Sequence, residues 1–253
     1  MSLAGAEPWL IAFVVTAFLI AGVIKGTTGI GLPTAAVGLM SQVMGPREAI
    51  ALVVFPSLLS NAWQIWRTGR FAATLRRYGL YIACLMGMIA LVSLTITARV
   101  ATDTLMLILG CVIILFSVSS LAWAPPFIPA RWDRIGQVAS GLASGVLGGM
   151  TGIWAPPMVT YLLGRRVEKD EFVRASGVMI FMGTLPLIWG FWQIGIVTGG
   201  SAVLSIALTA PALVGFALGE AIRKRLGAER FRRVVLIVFL LMGLNLLRRA
   251  VLS

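Results

Sequence analysis

Apolar residues run along this chain in stretches that stop only at short clusters of charge or at glycine and proline. Read against those stops, the pattern predicts ten helical segments: 9–24, 32–43, 48–66, 78–97, 104–123, 135–149, 156–163, 173–193, 201–222 and 234–250. Most approach the ~20 apolar residues that span a bilayer. The second and seventh do not. Residues 33–43 rise only about 16 Å and residues 156–163 only about 12 Å at ~1.5 Å per residue, against a hydrocarbon core ~30 Å thick. Both are expected to be half-helices that enter a membrane without crossing it.

The two short segments follow the same punctuation. KGTTGIGLP occupies residues 25–33 and TGIWAP residues 151–156; Thr28-Gly29-Ile30 with Pro33 recurs as Thr151-Gly152-Ile153 with Pro156, at an offset of 123. That offset also carries Glu48 onto Glu171 and Asn61 onto Thr184. Five segments fall in each half, split near APPFIPARWDR. This predicts two repeats, residues 1–124 and 125–253, within one integral membrane domain.

Charge placement supplies an orientation. The loop after the third segment holds Arg67, Arg70, Arg76 and Arg77, whereas its counterpart after the eighth, GIVTGG, holds none. The loop after the ninth carries Arg223, Lys224, Arg225, Arg230, Arg232 and Arg233, and its counterpart after the fourth only Arg99. The positive-inside rule puts both basic loops in the cytoplasm, together with Arg165, Arg166 and Lys169. Corresponding loops then face opposite sides, so the repeats are inverted, as an odd number of segments per half requires. Both termini are expected outside, although Arg248 and Arg249 weigh against it. No basic residue precedes Lys25, so the first segment reads as a retained helix and not a signal peptide.

Composition agrees with an all-α, multi-pass membrane protein. Hydrophobic residues make up 59% and charged residues 12%, about half the roughly 25% that a soluble domain uses to wet its outside. The net charge of +12 sits in short loops, which points to topology and anionic lipid, not to nucleic acid. Cys84 and Cys111 lie in apolar segments without metal or redox spacing. There is no histidine and no catalytic constellation. GTTGIG matches the dinucleotide fingerprint without a strand before it. Neither enzymatic activity nor a cofactor or metal is expected.

The breaks are where chemistry is expected. Backbone at membrane depth that leaves the helix must lie inside protein or against a watery cavity. A helix that begins there presents free N–H groups and the positive end of its dipole, a setting for an anion. The candidate substrate-binding residues are therefore Lys25, Thr27, Thr28, Gly29, Gly31 and Pro33, with Gly149, Thr151, Gly152, Trp154 and Pro156. Asn61, Gln64 and Thr184 are second-tier lining residues. Each has a plainer reading: glycine rows for packing, Lys25 snorkelling to an interface, interhelical hydrogen bonds for the amides. Trp154 stands where the first half has Gly31, and it gates, lines or simply fills. Glu220 reads as an interfacial ion-pair partner.

KGTTGIGLPTAAVGLM and SGVLGGMTGIWAPPMVTYLL resemble the paired glycine–proline signatures of the sulfite exporter TauE/SafE family. The resemblance spans the chain, although Trp154-Ala155 departs from the family's glycine run. It implies a carrier in the bacterial inner membrane that moves sulfite or a related organosulfonate outward by alternating access. The residues alone say only "small anion". Outward movement of one negative charge releases roughly 2.3 kcal/mol per 100 mV. An importer or exchanger of another small anion, and a non-transporting subunit of a larger complex, are the alternatives. Lipid is the expected surrounding and a homo-oligomer is compatible with it.

Overall fold

The computed structural model describes residues 7–122, 125–225 and 228–252. In chain order these form α1 (Pro8–Thr28), α2 (Leu32–Met40), α3 (Pro46–Thr68), α4 (Phe71–Arg77), α5 (Gly79–Thr95) and α6 (Thr102–Ala122). A 3-10 turn (Ala130–Trp132) then leads to α7 (Asp133–Thr151), α8 (Ala155–Gly164), α9 (Lys169–Gln193), α10 (Gly199–Arg225) and α11 (Ala228–Leu252). No strand occurs among the described residues. Among the described residues six helices, α1, α3, α6, α9, α10 and α11, are long and apolar enough to cross a membrane; α4 with α5 would make a seventh, bent by 82°. The side chains of Arg223, Lys224, Arg225, Arg230 and Arg232 lie outside the described residues, as does Ala124 at the expected junction of the repeats.

The half-helices are present: α2 has nine residues and α8 ten. Helix α1 runs further than expected, through Lys25, Gly26, Thr27 and Thr28, before stopping at Gly29. The threonine hydroxyls explain this. Thr27 and Thr28 both donate to the Ile24 carbonyl, folding back on their own helix instead of leaving it. Segment 78–97 also differs. The chain turns sharply at Tyr78, whose φ of −109° and ψ of 17° are not helical, and the Arg76 and Arg77 end of α4 is set off from the apolar α5.

Packing brings backbones into direct contact. A Cβ at Gly22 or Gly26 of α1 would lie 2.1 or 2.2 Å from the carbonyl oxygens of Ala212 and Phe216 on α10. Gly215 and Gly219 face the carbonyls of Leu19 and Val23 as closely. Residue numbers rise together along this contact, so α1 and α10 are parallel. Helix α7 lies on α5 in the same way, through Gly141, Gly145 and Gly149 against Tyr81, Met88 and Val92, one of the small-residue rows visible in the sequence. Helices α3 and α9 run antiparallel: Gln64, near the end of α3, donates to the Val173 carbonyl at the start of α9 (2.6 Å).

Three ion pairs gather the basic loops at one end of the bundle. Arg67 pairs with Glu220, Arg77 with Glu171 (2.8 Å) and Arg165 with Asp133 (2.7 Å). The ends of α3, α8 and α10 and the starts of α7 and α9 therefore meet there. Arg249, whose charge by itself weighs against an outside C-terminus, donates to the carbonyls of Ser41 and Gln42 (2.7 Å each). It satisfies the orphaned end of α2 and so carries no topological weight.

Candidate functional site at the two helix breaks

Each break is a turn of three residues set by a left-handed glycine. Gly29 (φ 84°) closes α1 through its N–H to the Lys25 carbonyl (2.7 Å), and Gly31 (φ 97°) opens α2. Gly152 (φ 69°) closes α7, and Trp154 (φ −117°) opens α8. Thr28 and Thr151 do the same work in the two turns. Each donates its hydroxyl to the carbonyl four residues back and accepts the N–H of the isoleucine two residues on. Their hydroxyl hydrogens are thus committed to backbone, and their role here is to hold the turn.

The glycines are each pressed by one side chain. A Cβ on Gly29 would lie 3.0 Å from Val173, and one on Gly152 3.0 Å from Ile50. The offset of 123 maps each of these contacts onto the other. The corners also meet: Gly31, Pro33 and Thr34 share a crevice of about 10 Å³ with Gly152, Ile153, Trp154 and Ala155. A second void of about 10 Å³ is walled by Pro33, Ser57, Gly152, Trp154 and Thr184, among others. Neither α2 nor α8 has a side-chain cap at its start.

Lys25 is the unusual group. It is 1% exposed, so it does not snorkel. Its ammonium donates to Asn61 Oδ1 (2.7 Å) and Ser60 Oγ (3.1 Å) and lies 5.8 Å from the Phe216 ring centre. All these partners are neutral. A buried charge is normally paired.

Beside it opens a chamber of about 580 Å³, bordered by Lys25, Gly29, Gln64, Arg67, Lys169 and Arg174, with Asp170 and Glu220 as its acids. Arg67 and Glu220 neutralise each other. Lys25, Lys169 and Arg174 belong to none of the ion pairs among the described residues. A cation-rich wall of that kind concentrates anions. A second, mainly apolar cleft of about 560 Å³ shares Lys169 and Val173 with the chamber and reaches Thr27, Thr28 and Gly31.

The family model described as sulfite exporter TauE/SafE matches residues 14–246, nearly the whole chain and both breaks. The chain belongs to the sulfite exporter TauE/SafE family. No curated protein and no solved structure matches it. The TauE/SafE family consists of membrane transporters, not enzymes, in keeping with a multi-pass chain.

The structure sorts the candidate residues of this TauE/SafE chain. Lys25, Gly29 and Gln64 border the chamber; Thr27, Thr28 and Gly31 border the apolar cleft. Gly31, Pro33, Gly152, Trp154 and Thr184 border the voids between the corners. Asn61 acts through Lys25. Gly149, Thr151 and Pro156 border none of these spaces: Gly149 packs against Val92, and Pro156 is part of the first turn of α8. Glu220 is an ion-pair partner as expected, with Arg67.

Three groups at the site are absent from the candidates read in the sequence. Lys169 and Arg174 border the chamber, and Ser60 holds Lys25. The signal for Ser60 was present. Ser57, Ser60, Asn61 and Gln64 stand at i, i+3, i+4 and i+7, a polar stripe on an otherwise apolar helix.

Proposed function

We propose that this protein is a secondary carrier that moves a small sulfur oxyanion, sulfite or a related sulfonate, outward across the bacterial inner membrane by alternating access. The observation that carries this reading is the buried Lys25 ammonium, held only by neutral oxygens at the side of a chamber rich in unpaired cations. An anion entering from the basic, cytoplasmic end is attracted by Arg174, Lys169 and Lys25. It then meets the first turn of α2, where N–H groups have no partner within the helix.

The same reading takes residues 1–124 and 125–253 as inverted repeats. The paired contacts Gly29–Val173 and Gly152–Ile50 support it. So do the matching pairs α1 on α10 and α7 on α5, and the antiparallel course of α3 and α9. In such a plan the corners meet at the centre, and the halves rock against each other to expose it to either side. The apolar cleft next to the chamber favours room for a short organic tail, hence sulfonates beside sulfite.

The test is reconstitution. Proteoliposomes loaded with labelled sulfite and given an inside-negative potential should show protein-dependent efflux. Competition by a panel of sulfonates and carboxylates would rank the anions. No protein-dependent movement under any ion gradient would overturn the proposal. Movement that persists unchanged in Lys25→Met would remove the residue on which it rests.

A further inference from the structure

Five buried side-chain atoms among the described residues have no hydrogen-bond partner: Ser41 Oγ, Ser57 Oγ, Gln64 Oε1, Trp154 Nε1 and Arg174 Nε. Their placement is not scattered. Gln64 and Arg174 border the chamber, and Ser57 and Trp154 border the void beside the second break. Four of the five thus flank one route, from the basic end of the bundle to the contact of the two corners. Native interiors pair nearly all their buried polar atoms, and packing alone gives no reason to leave an indole N–H and a hydroxyl unpaired in the walls of one void.

The polar stripe of α3 joins the two spaces. Gln64 is at the chamber end and Ser57 at the void end, with Ser60 and Asn61 between them holding the Lys25 ammonium. Ser57 is 2% and Trp154 3% exposed, so neither reaches water by itself. Thr184, on the opposite wall, donates its hydroxyl to the Ile180 carbonyl and so has no donor left for an anion there. The indole N–H is a donor only, and so suits an anion.

Resting on the carrier reading above, we propose that Ser57 Oγ–H and Trp154 Nε1–H form a second anion-binding station, made of neutral donors and lying beyond the charged station of Lys25 and Arg174. The division of labour has a physical reason. Full charges attract and desolvate an anion, but a full charge at the centre would also retain it. Conduction needs binding firm enough to enter and weak enough to leave. At about 10 Å³ the void has about the volume that a single water needs and is too small for any oxyanion. Occupation therefore requires the second corner to move away from α3. Trp154 is the movable wall as well as the donor.

The experiment compares efflux of labelled sulfite from proteoliposomes with equilibrium binding of sulfite to the purified, detergent-solubilised protein by calorimetry. Trp154→Phe keeps an aromatic six-membered ring but removes the N–H together with the rest of the pyrrole ring; Ser57→Ala removes the hydroxyl and Ser57→Thr retains one. The expected result is a roughly tenfold fall in maximal efflux for Trp154→Phe and for Ser57→Ala. Affinity should stay within about twofold of the parent, Ser57→Thr should recover most of the rate, and the melting temperature of Ser57→Ala should be unchanged or raised, while Trp154→Phe loses some stability to its smaller ring. A merely structural role would instead lower the melting temperature of Ser57→Ala as well and leave efflux per folded molecule intact in both variants. Efflux within twofold of the parent in both variants, while Lys25→Met abolishes it, overturns the second station and leaves the carrier standing. A parallel loss of affinity and rate merges the two stations into one and also overturns it. A parent protein that moves no sulfite overturns both.

Discussion

In the first break a lysine stands four residues before the left-handed glycine and a glycine two residues after it; in the second, those places hold Gly148 and Trp154. The large group has changed sides of the turn. In the first half it is a cation reaching from α1 into the chamber. In the second it is an indole folded back on α7, where a Cβ on Gly148 would lie 2.7 Å from Trp154 Cε3. The surroundings follow suit. The first corner borders spaces of about 580 and 560 Å³, the second only voids of about 10 Å³.

The second corner is also fastened. Tyr81 donates to Ser144 Oγ (2.7 Å), which donates to the Trp154 carbonyl (3.2 Å). Tyr81 stacks on Tyr161 (5.9 Å between centres), and Tyr161 donates to Asp133, itself paired with Arg165. Pro156 and Pro157 remove two N–H donors from the first turn of α8, where Pro33 removes one from α2. A single backbone plan has thus been given two side-chain solutions. One corner is charged and open, the other neutral, packed and tied.

That contrast can be broken most severely at Lys25. Lys25→Met keeps the length and removes the charge; a charge-assisted hydrogen bond is worth about 1.5–3 kcal/mol, so transport should fall on the order of 10- to 100-fold. Flux assays with circular dichroism on the same preparation would check that the fold survives.

Filling the packed corner should act on stability first. Gly148→Leu drives a side chain into Trp154 and should cost about 1–3 kcal/mol or more, read as a lower melting temperature with anion affinity little changed in the molecules that remain folded. Tyr81→Phe removes the hydroxyl that fastens Ser144, for about 1 kcal/mol. Because the second corner must move for the void to be occupied, the same change should also speed transport; an unchanged rate would mark that corner as fixed. Arg67→Gln should matter least. Its pairing with Glu220 is half-exposed, so the loss is at most about 1 kcal/mol, and raising the salt concentration should erase the difference.

Much of the architecture was legible in the chain. The half-helices could be read from length, and the breaks from the repeat of Thr-Gly-Ile with a following proline. Lys25 and Trp154 were legible as odd residues, but their roles were not. The partners of Lys25 lie 35 and 36 positions away on α3. Lys169 read only as a loop charge that sets topology, and nothing in the local pattern singled out Arg174; the antiparallel meeting of α3 with α9 turns both toward the chamber. The extent of α1 was not legible, because glycine and threonine look like helix breakers while the threonine hydroxyls here bond back into the helix.

The amino-acid order by itself determined a membrane-spanning, all-helical chain with two interrupted helices and its basic loops on one side. Those properties follow from local quantities: apolar length against bilayer thickness, and backbone that must satisfy its own hydrogen bonds in lipid. Which of the two corners carries a charge into open space, and which is sealed by an indole, only the tertiary structure decided. Electrostatics and cavity shape depend on groups brought together from distant parts of the chain, and no local pattern encodes those distances.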